Sequence, residues 1–260
     1  MRGEARAYYN EIEPYAAAWL RNLIAEGLIA PGDVDERSIV DVEPGDLAGY
    51  TQCHFFAGIG GWSLGLRLAG WPDDRPVWTG SCPCQPYSVA SVAHGGAKGQ
   101  GDHRHLWPVW QPLIAQHRPP VVFGEQVKSA IGWGWWDEVC RDLEADAYAC
   151  AAVVIPASAV EADHERARLY WLADASGEGR EGHQSWDRLP IPARAPFAQP
   201  SDPFALARRA MGGDYAGLCS RDGLSVGMER RAAHGYGNAI VPQVAAEVIG
   251  AFLDLERTAA

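Results

Sequence analysis

Short apolar runs alternating with longer helix-like stretches, from Ala5 to about Asp174, limit what this chain can fold into more than any other feature. Strand-length runs separated by helices are the pattern of a parallel sheet covered by helices on both faces. Candidate strands are Ala7-Tyr8-Tyr9, Cys53 to Phe56, Val77 to Ser81, Val121 to Glu125, Ala149 to Val154 and Leu169 to Ala173. Helical periodicity fits Pro14 to Glu26, Trp62 to Ala69, Leu106 to Gln116 and Trp135 to Ala147. The expected class is therefore α/β. With 260 residues and 47% hydrophobic content, one main domain with a smaller appendage can bury a full core.

Three of these runs end in chemistry. Val77-Trp78 leads into Gly80-Ser81-Cys82-Pro83-Cys84-Gln85-Pro86, where proline-stiffened turns present the Cys84 thiol as a nucleophile rather than as core filler. Val121 to Gly124 stops at Glu125, so two parallel strands deliver a thiol and a carboxyl to one sheet edge. His54 to Trp62 passes through Gly58, Gly60 and Gly61 into a helix. Such a turn suits either the close approach of a nucleotide-like cofactor or tight strand-to-helix packing.

Beyond about Ala175 the texture changes to Gly, Pro, Ser, Asp and Arg, which reads as an irregular insertion of the kind that carries specificity. An amphipathic helix from about Pro242 to Leu255 then returns to the main domain. The expected organisation is 1–174 for catalysis and cofactor, 175–233 for target recognition, and 234–260 for a C-terminal motif and helix. Trp133, Trp135 and Trp136 read as packing residues rather than base-stacking ones.

The net charge of −11 opposes nucleic-acid binding, but most of the acidic excess precedes Asp163, and the arginine-rich remainder leaves room for a local basic face or a merely solvated one. Six cysteines without framework spacing fit free thiols in a reducing compartment. Cys82, Cys84, His94, His103 and His105 match no standard zinc spacing, and no metal is expected. The chain shows neither a membrane span nor a signal peptide, and a cytoplasmic location is expected.

Taken in order, several motifs resemble those of the DNA (cytosine-5) methyltransferase family. Phe56-Ala57-Gly58-Ile59-Gly60-Gly61 is similar to its cofactor motif, Pro83-Cys84-Gln85 to its nucleophile motif and Gly124-Glu125-Gln126-Val127 to its Glu-Asn-Val motif. His164-Glu165-Arg166-Ala167-Arg168 resembles the Gln-x-Arg-x-Arg motif, and Gly237-Asn238-Ala239-Ile240-Val241-Pro242 the last one. Asp102 to Trp107 resembles the segment that follows the cysteine loop. Gln126, His164 and His54 depart from the family pattern.

Between Phe56 and Cys84 there is room for a single helix, where the family carries a further unit with acids for ribose and adenine. Tyr9-Asn10-Glu11-Ile12-Glu13-Pro14 and Pro31-Gly32-Asp33-Val34 resemble that missing unit and stand ahead of the glycine turn. The expectation is a permuted motif order; the alternative is that residues 1–50 are an unrelated helical extension.

The resemblance implies a Rossmann-like S-adenosylmethionine-dependent sheet and methylation of carbon 5 of a flipped-out cytosine in double-stranded DNA. It implies Cys84 as nucleophile, Glu125 at N3 and the exocyclic amine, and Arg168, with Arg166, at O2 and the cysteine loop. An arginine pair beside a strand is also a common surface ion-pair element. Implied cofactor contacts are Phe56, Ala57, Gly58, Ile59, Gly60 and Gly61, Glu11 on ribose, Ile12 on adenine, Asp33 on its amine, and Asn238. A bacterial or phage-encoded monomer without an obligate protein partner is expected. Competing readings are a related pyrimidine-modifying enzyme using RNA or another one-carbon group, and a DNA-binding relative without turnover.

Overall fold

The computed structural model describes residues 6–83, 105–160, 167–175 and 239–259. In chain order these form β1 (Ala7–Asn10), α1 (Pro14–Ala25), β2 (Gly32–Asp35), β3 (Gln52–Phe55), α2 (Gly61–Leu68), β4 (Val77–Gly80) and α3 (Trp107–His117). Then follow β5 (Val121–Val127), α4 (Trp135–Ala145), β6 (Ala149–Ile155), β7 (Arg168–Asp174) and α5 (Pro242–Ala259). The strands make one seven-stranded sheet in the order β2-β1-β3-β4-β5-β7-β6. Its two faces are covered by helices, as expected.

Two features differ from the sequence reading. The sheet is mixed, because β7 runs antiparallel to both β5 and β6. A parallel return from β6 would need a helical crossover, and the 12 residues between Ile155 and Arg168 hold only the short 3-10 turn Ala157–Val160 among those described. The other is β2, Gly-Asp-Val-Asp, an edge strand too polar to announce itself by hydrophobic alternation.

Side-chain alternation sorts the core into two layers. On one face Tyr8, Cys53, Phe55, Trp78 and Val122 pack with α3 and α4, around Trp107, Trp110, Trp135 and Trp171. On the other, Val77, Val121, Phe123 and Tyr170 pack with α2 and α5, while Ala7 and Tyr9 pack with Trp19, Leu20 and Leu23 of α1. Trp135 is fully buried and Trp136 lies 6.2 Å from Trp171, so these two are packing residues as read from sequence. Trp133 is 44% exposed and is not. Gly124 makes the tryptophan layer possible, since a Cβ there would stand 2.1 Å from the Trp171 ring. His54 points into the opposite layer, stacked on Tyr9 with Nδ1 2.8 Å from Thr79 Oγ1, and burial pushes it down to about 3. It is a neutral core residue.

The crossovers carry an irregularity of hand. The β1–α1–β2 connection moves toward the β2 edge, whereas β3–α2–β4 moves the opposite way, yet α1 and α2 cover the same face. The β4–α3–β5 connection moves in the same direction as β3–α2–β4 but over the other face. The first and last of these therefore share one hand and β3–α2–β4 has the other. Parallel crossovers are right-handed in nearly all proteins, which makes β3–α2–β4 the left-handed exception.

Candidate active site

The strands β1 and β3 are parallel neighbours whose following helices lead away in opposite directions, the arrangement that opens a crevice at their carboxyl ends. Two segments meet in it. From β3 the chain turns through Phe56, at φ 52°, and Gly58, at φ 54°, to Gly60, which caps α2 at φ 83°. Phe56 is a bulky residue in the left-handed region, a strained conformation of the kind retained at functional turns. Among the described residues a Cβ on Gly58 would meet nothing within 4 Å, so they leave space open above the turn. From β1 comes Glu11, whose Oε2 accepts the Gly58 N–H at 2.7 Å and whose Oε1 accepts the Glu13 N–H at 2.9 Å. Burial raises the Glu11 carboxyl above its ordinary value, and these two amides oppose the rise. Ile12, the next residue, is 63% exposed.

Residues from β1, β3 and the far end of the chain converge here. The Ala57 N–H donates to Asn10 O at 3.0 Å, so the turn is hydrogen-bonded to β1. Ile240 is buried against the turn, and a Cβ on Gly61 would stand 2.7 Å from its Cγ1. Ile59, Gly60 and Gly61 thus serve as the floor between α1, α2 and the start of α5. Asn238 lies outside the described residues. Asp33, toward the start of β2, pairs with Arg6 and accepts from Tyr50 Oη at 2.6 Å. On β2 the residue that meets Glu11 is Asp35, whose backbone oxygen accepts the Glu11 N–H at 3.0 Å and whose carboxylate accepts from Tyr8 Oη at 2.7 Å and pairs with Arg37. Residues two apart on a strand share a face, so sequence alone showed no reason to prefer Asp35 over Asp33.

The second half of the edge is built by β4, β5 and β7. Glu125, 7% exposed, lies near the end of β5, and its Oε1 meets Arg168 Nε at 2.9 Å. The antiparallel register places Arg168 opposite Val127, diagonal to Glu125 on the same face, within reach of a long side chain. The Arg168 fork is held further by Nη1 donating to Ala167 O at 3.1 Å. Gln126 points the other way, donating from Nε2 to Cys82 O at 3.3 Å, which ties β5 to the segment leaving β4. Trp62 Nε1 donates to Ser81 Oγ at 3.1 Å and ties the same segment to α2. Cys84 and Arg166 lie outside the described residues.

The described cysteines are unsuited to nucleophilic work. Cys53 and Cys82 are buried, and burial pushes both thiols far up; Cys150 is raised by the same cause, and Cys140 is pushed up to about 11. A thiol that keeps its proton is a poor nucleophile. Among the described residues no group of three or more His, Cys, Asp or Glu side chains forms a metal cluster, and no helix is long and apolar enough to cross a membrane.

Among solved structures the chain is similar to a variant of Spodoptera frugiperda DNMT2 (16% identity, TM-score 0.45, covering 70% of this chain and 47% of that one). It is also similar to the S. pombe Dnmt2 methyltransferase (13%, TM-score 0.47, covering 96% and 99%). A third is a putative DNA modification methyltransferase encoded within an E. coli prophage (13%, TM-score 0.38, covering 65% and 47%). This chain spans about half the length of the first and third. No curated protein matches the sequence. The family model for C-5 cytosine-specific DNA methylase matches residues 72–195, a stretch that begins after α2 and takes in Cys84, Glu125 and Arg168.

Proposed function

We propose that the protein methylates carbon 5 of cytosine in double-stranded DNA, with S-adenosylmethionine as donor and Cys84 as the covalent nucleophile. The observation that carries this reading is the Glu125–Arg168 pair on β5 and β7, within the stretch that matches the methylase family. Carbon 5 of cytosine is weakly nucleophilic, and addition of a thiolate at carbon 6 makes the ring enamine-like. Glu125 handles the proton at N3 and accepts from the exocyclic amine, so that charge developing on attack is offset at the ring's far side. Arg168 fixes the carboxylate and, with Arg166, binds O2. The target atom is inaccessible in a stacked duplex, so the base is flipped out.

The crevice at β1 and β3 suits the donor. Open space over Gly58, a half-shielded carboxylate at Glu11 and the uncovered apolar surface of Ile12 fit a methionine chain, a ribose diol and an adenine ring in that order. Phe56, Ala57 and Ile59 line the same turn, and Asn238 and an acid of β2, Asp33 or Asp35, complete the set. When bound, S-adenosylmethionine supplies an electrophilic methyl group. Glu11 accepts from the ribose hydroxyls, a role that needs the ionised carboxylate.

A pH dependence follows. Because burial raises the Glu11 carboxyl, it takes up its proton at a higher pH than an ordinary glutamate, and donor affinity falls as pH is lowered through that raised value. Calorimetric titration of S-adenosylmethionine between pH 8 and pH 5 should show this loss. Glu11→Gln should bind about 10- to 100-fold more weakly at pH 8 and lose the acid-side dependence. An unchanged affinity in Glu11→Gln would remove Glu11 from the donor site.

The permuted order of motifs belongs to the same proposal. In the unpermuted order, the helix after the glycine turn leads toward the strand that here is β1, with the usual hand. The left-handed β3–α2–β4 crossover is what remains when that unit is encoded first, and Glu11 still meets Gly58. Transfer of labelled methyl from S-adenosylmethionine to unmethylated plasmid DNA, with 5-methylcytosine identified by mass spectrometry, tests the function. Product on RNA and none on DNA would replace the substrate; no product from folded, donor-binding protein would overturn catalysis.

A further inference from the structure

The ladder between β4 and β5 ends on a pair of glycines. Gly80 faces Gly124 in register, and theirs is the last pair the two strands form. Beyond it β4 goes on into Ser81, Cys82 and Pro83 while β5 goes on into Glu125, and the side chain of Gln126 on Cys82 O ties the two together there. The space over both glycines is taken by tryptophan. A Cβ on Gly80 would stand 2.4 Å from Cη2 of Trp110 on α3, and one on Gly124 would stand 2.1 Å from Cε2 of Trp171, its direct partner on β7. The two ring centroids lie 5.9 Å apart. Trp110 also meets Phe56, edge to face at 6.1 Å, so the same ring backs the strained turn of the donor crevice.

Glycine in a strand leaves the backbone unusually free, and it is found where another group must approach the sheet closely. Here two neighbouring strands carry it at the same level, and on β5 the next residue is the carboxylate. Successive side chains leave opposite faces of a strand, so the Trp171 ring presses on one face while Glu125 leaves the other, toward Arg168. Both rings are buried, and among the described residues neither the Trp110 nor the Trp171 indole N–H has a hydrogen-bond partner. Buried donors without acceptors cost stability, and close packing holds these rings in place. A space that needed only filling would be served by aliphatic side chains without that cost.

We propose that Trp110 and Trp171 are positioning residues, which hold the diverging ends of β4 and β5 and, through Gly124, keep the Glu125 carboxylate in place for methyl transfer. This rests on the cytosine-methylation reading and adds to it two residues on the far face of the sheet from Glu125. The test is turnover on unmethylated plasmid DNA, well below each variant's melting temperature. Trp110→Leu and Trp171→Leu should lower kcat about 100-fold, with KM for DNA and calorimetric affinity for S-adenosylmethionine within about twofold of wild type. Trp110→Phe and Trp171→Phe, which keep a flat ring and lose no hydrogen bond to the described residues, should lower it about 10-fold. Gly124→Ala should lower kcat in the wild type, where the added methyl group meets the indole, and raise it in Trp171→Leu, where that group fills vacated space. A role in packing alone would shift the melting temperature and leave kcat untouched. Wild-type kcat in the leucine variants, or in the phenylalanine variants should the leucine ones not fold, would overturn the proposal, as would a rise in KM that accounts for the whole loss. No turnover by the folded wild type would instead overturn the methylation reading, and this role would fall with it.

Discussion

Cys84→Ala is expected to end methyl transfer, lowering turnover on the order of 10⁴-fold or more, and to abolish covalent capture of DNA containing 5-fluorocytosine. The trap works because fluorine at carbon 5 cannot leave as a proton does, so the enzyme that has added its sulfur to carbon 6 and methylated carbon 5 stays attached. Its informative control lies two residues away. Cys82 is 6% exposed in the tryptophan-rich layer, with its thiol held protonated by burial, and its backbone oxygen rather than its sulfur is engaged by Gln126. Cys82→Ala should therefore cost some stability, about 1 kcal/mol, and still give the shifted protein–DNA band on a denaturing gel. A band that survives Cys84→Ala and disappears in Cys82→Ala would reverse the assignment. Loss of the band in both would point to disruption of the whole Ser81–Pro83 segment.

The sequence carried much of this arrangement because its strands are short apolar runs that stop at chemistry. Gly80 closes β4, Glu125 comes two residues before the end of β5, and β3 ends just ahead of the glycine turn. What escaped was information held in neighbours. Gly-Asp-Val-Asp reads as a turn until Ala7 to Asn10 pairs with it in register, and only that pairing shows that Asp35, rather than Asp33, stands beside Glu11. The reversal of β7 was readable in principle, since the stretch before Arg168 is too short for a helical crossover, but alternation of strands and helices up to that point favoured a parallel reading. Trp133 was indistinguishable from Trp135 and Trp136 because three tryptophans in four positions share one composition. A left-handed glycine between them decides which side of the fold each enters.

Glu125→Gln is expected to lower turnover about 10²- to 10⁴-fold, the range for loss of a group that moves a proton in the transition state. The substitution keeps the shape of the side chain and its place on β5, so DNA and donor affinities should stay close to wild type. That separation of turnover from binding distinguishes a chemical role from a structural one. Arg168 complicates the outcome in a useful way. Its Nε lies 2.9 Å from Glu125 Oε1, with the two side chains 21% and 8% exposed, and a glutamine leaves this guanidinium without its opposite charge in a largely desolvated place. Some loss of stability should accompany Glu125→Gln, up to about 3 kcal/mol for a broken, partly buried pair. Arg168→Lys should show the complementary pattern: charge is retained but the planar fork is not, so the carboxylate is less well aimed and turnover falls while the fold persists. If Glu125→Gln lost stability and kept full turnover, the pair would be an ion-pair strut between β5 and β7, and the proton at N3 would have to be handled by another group.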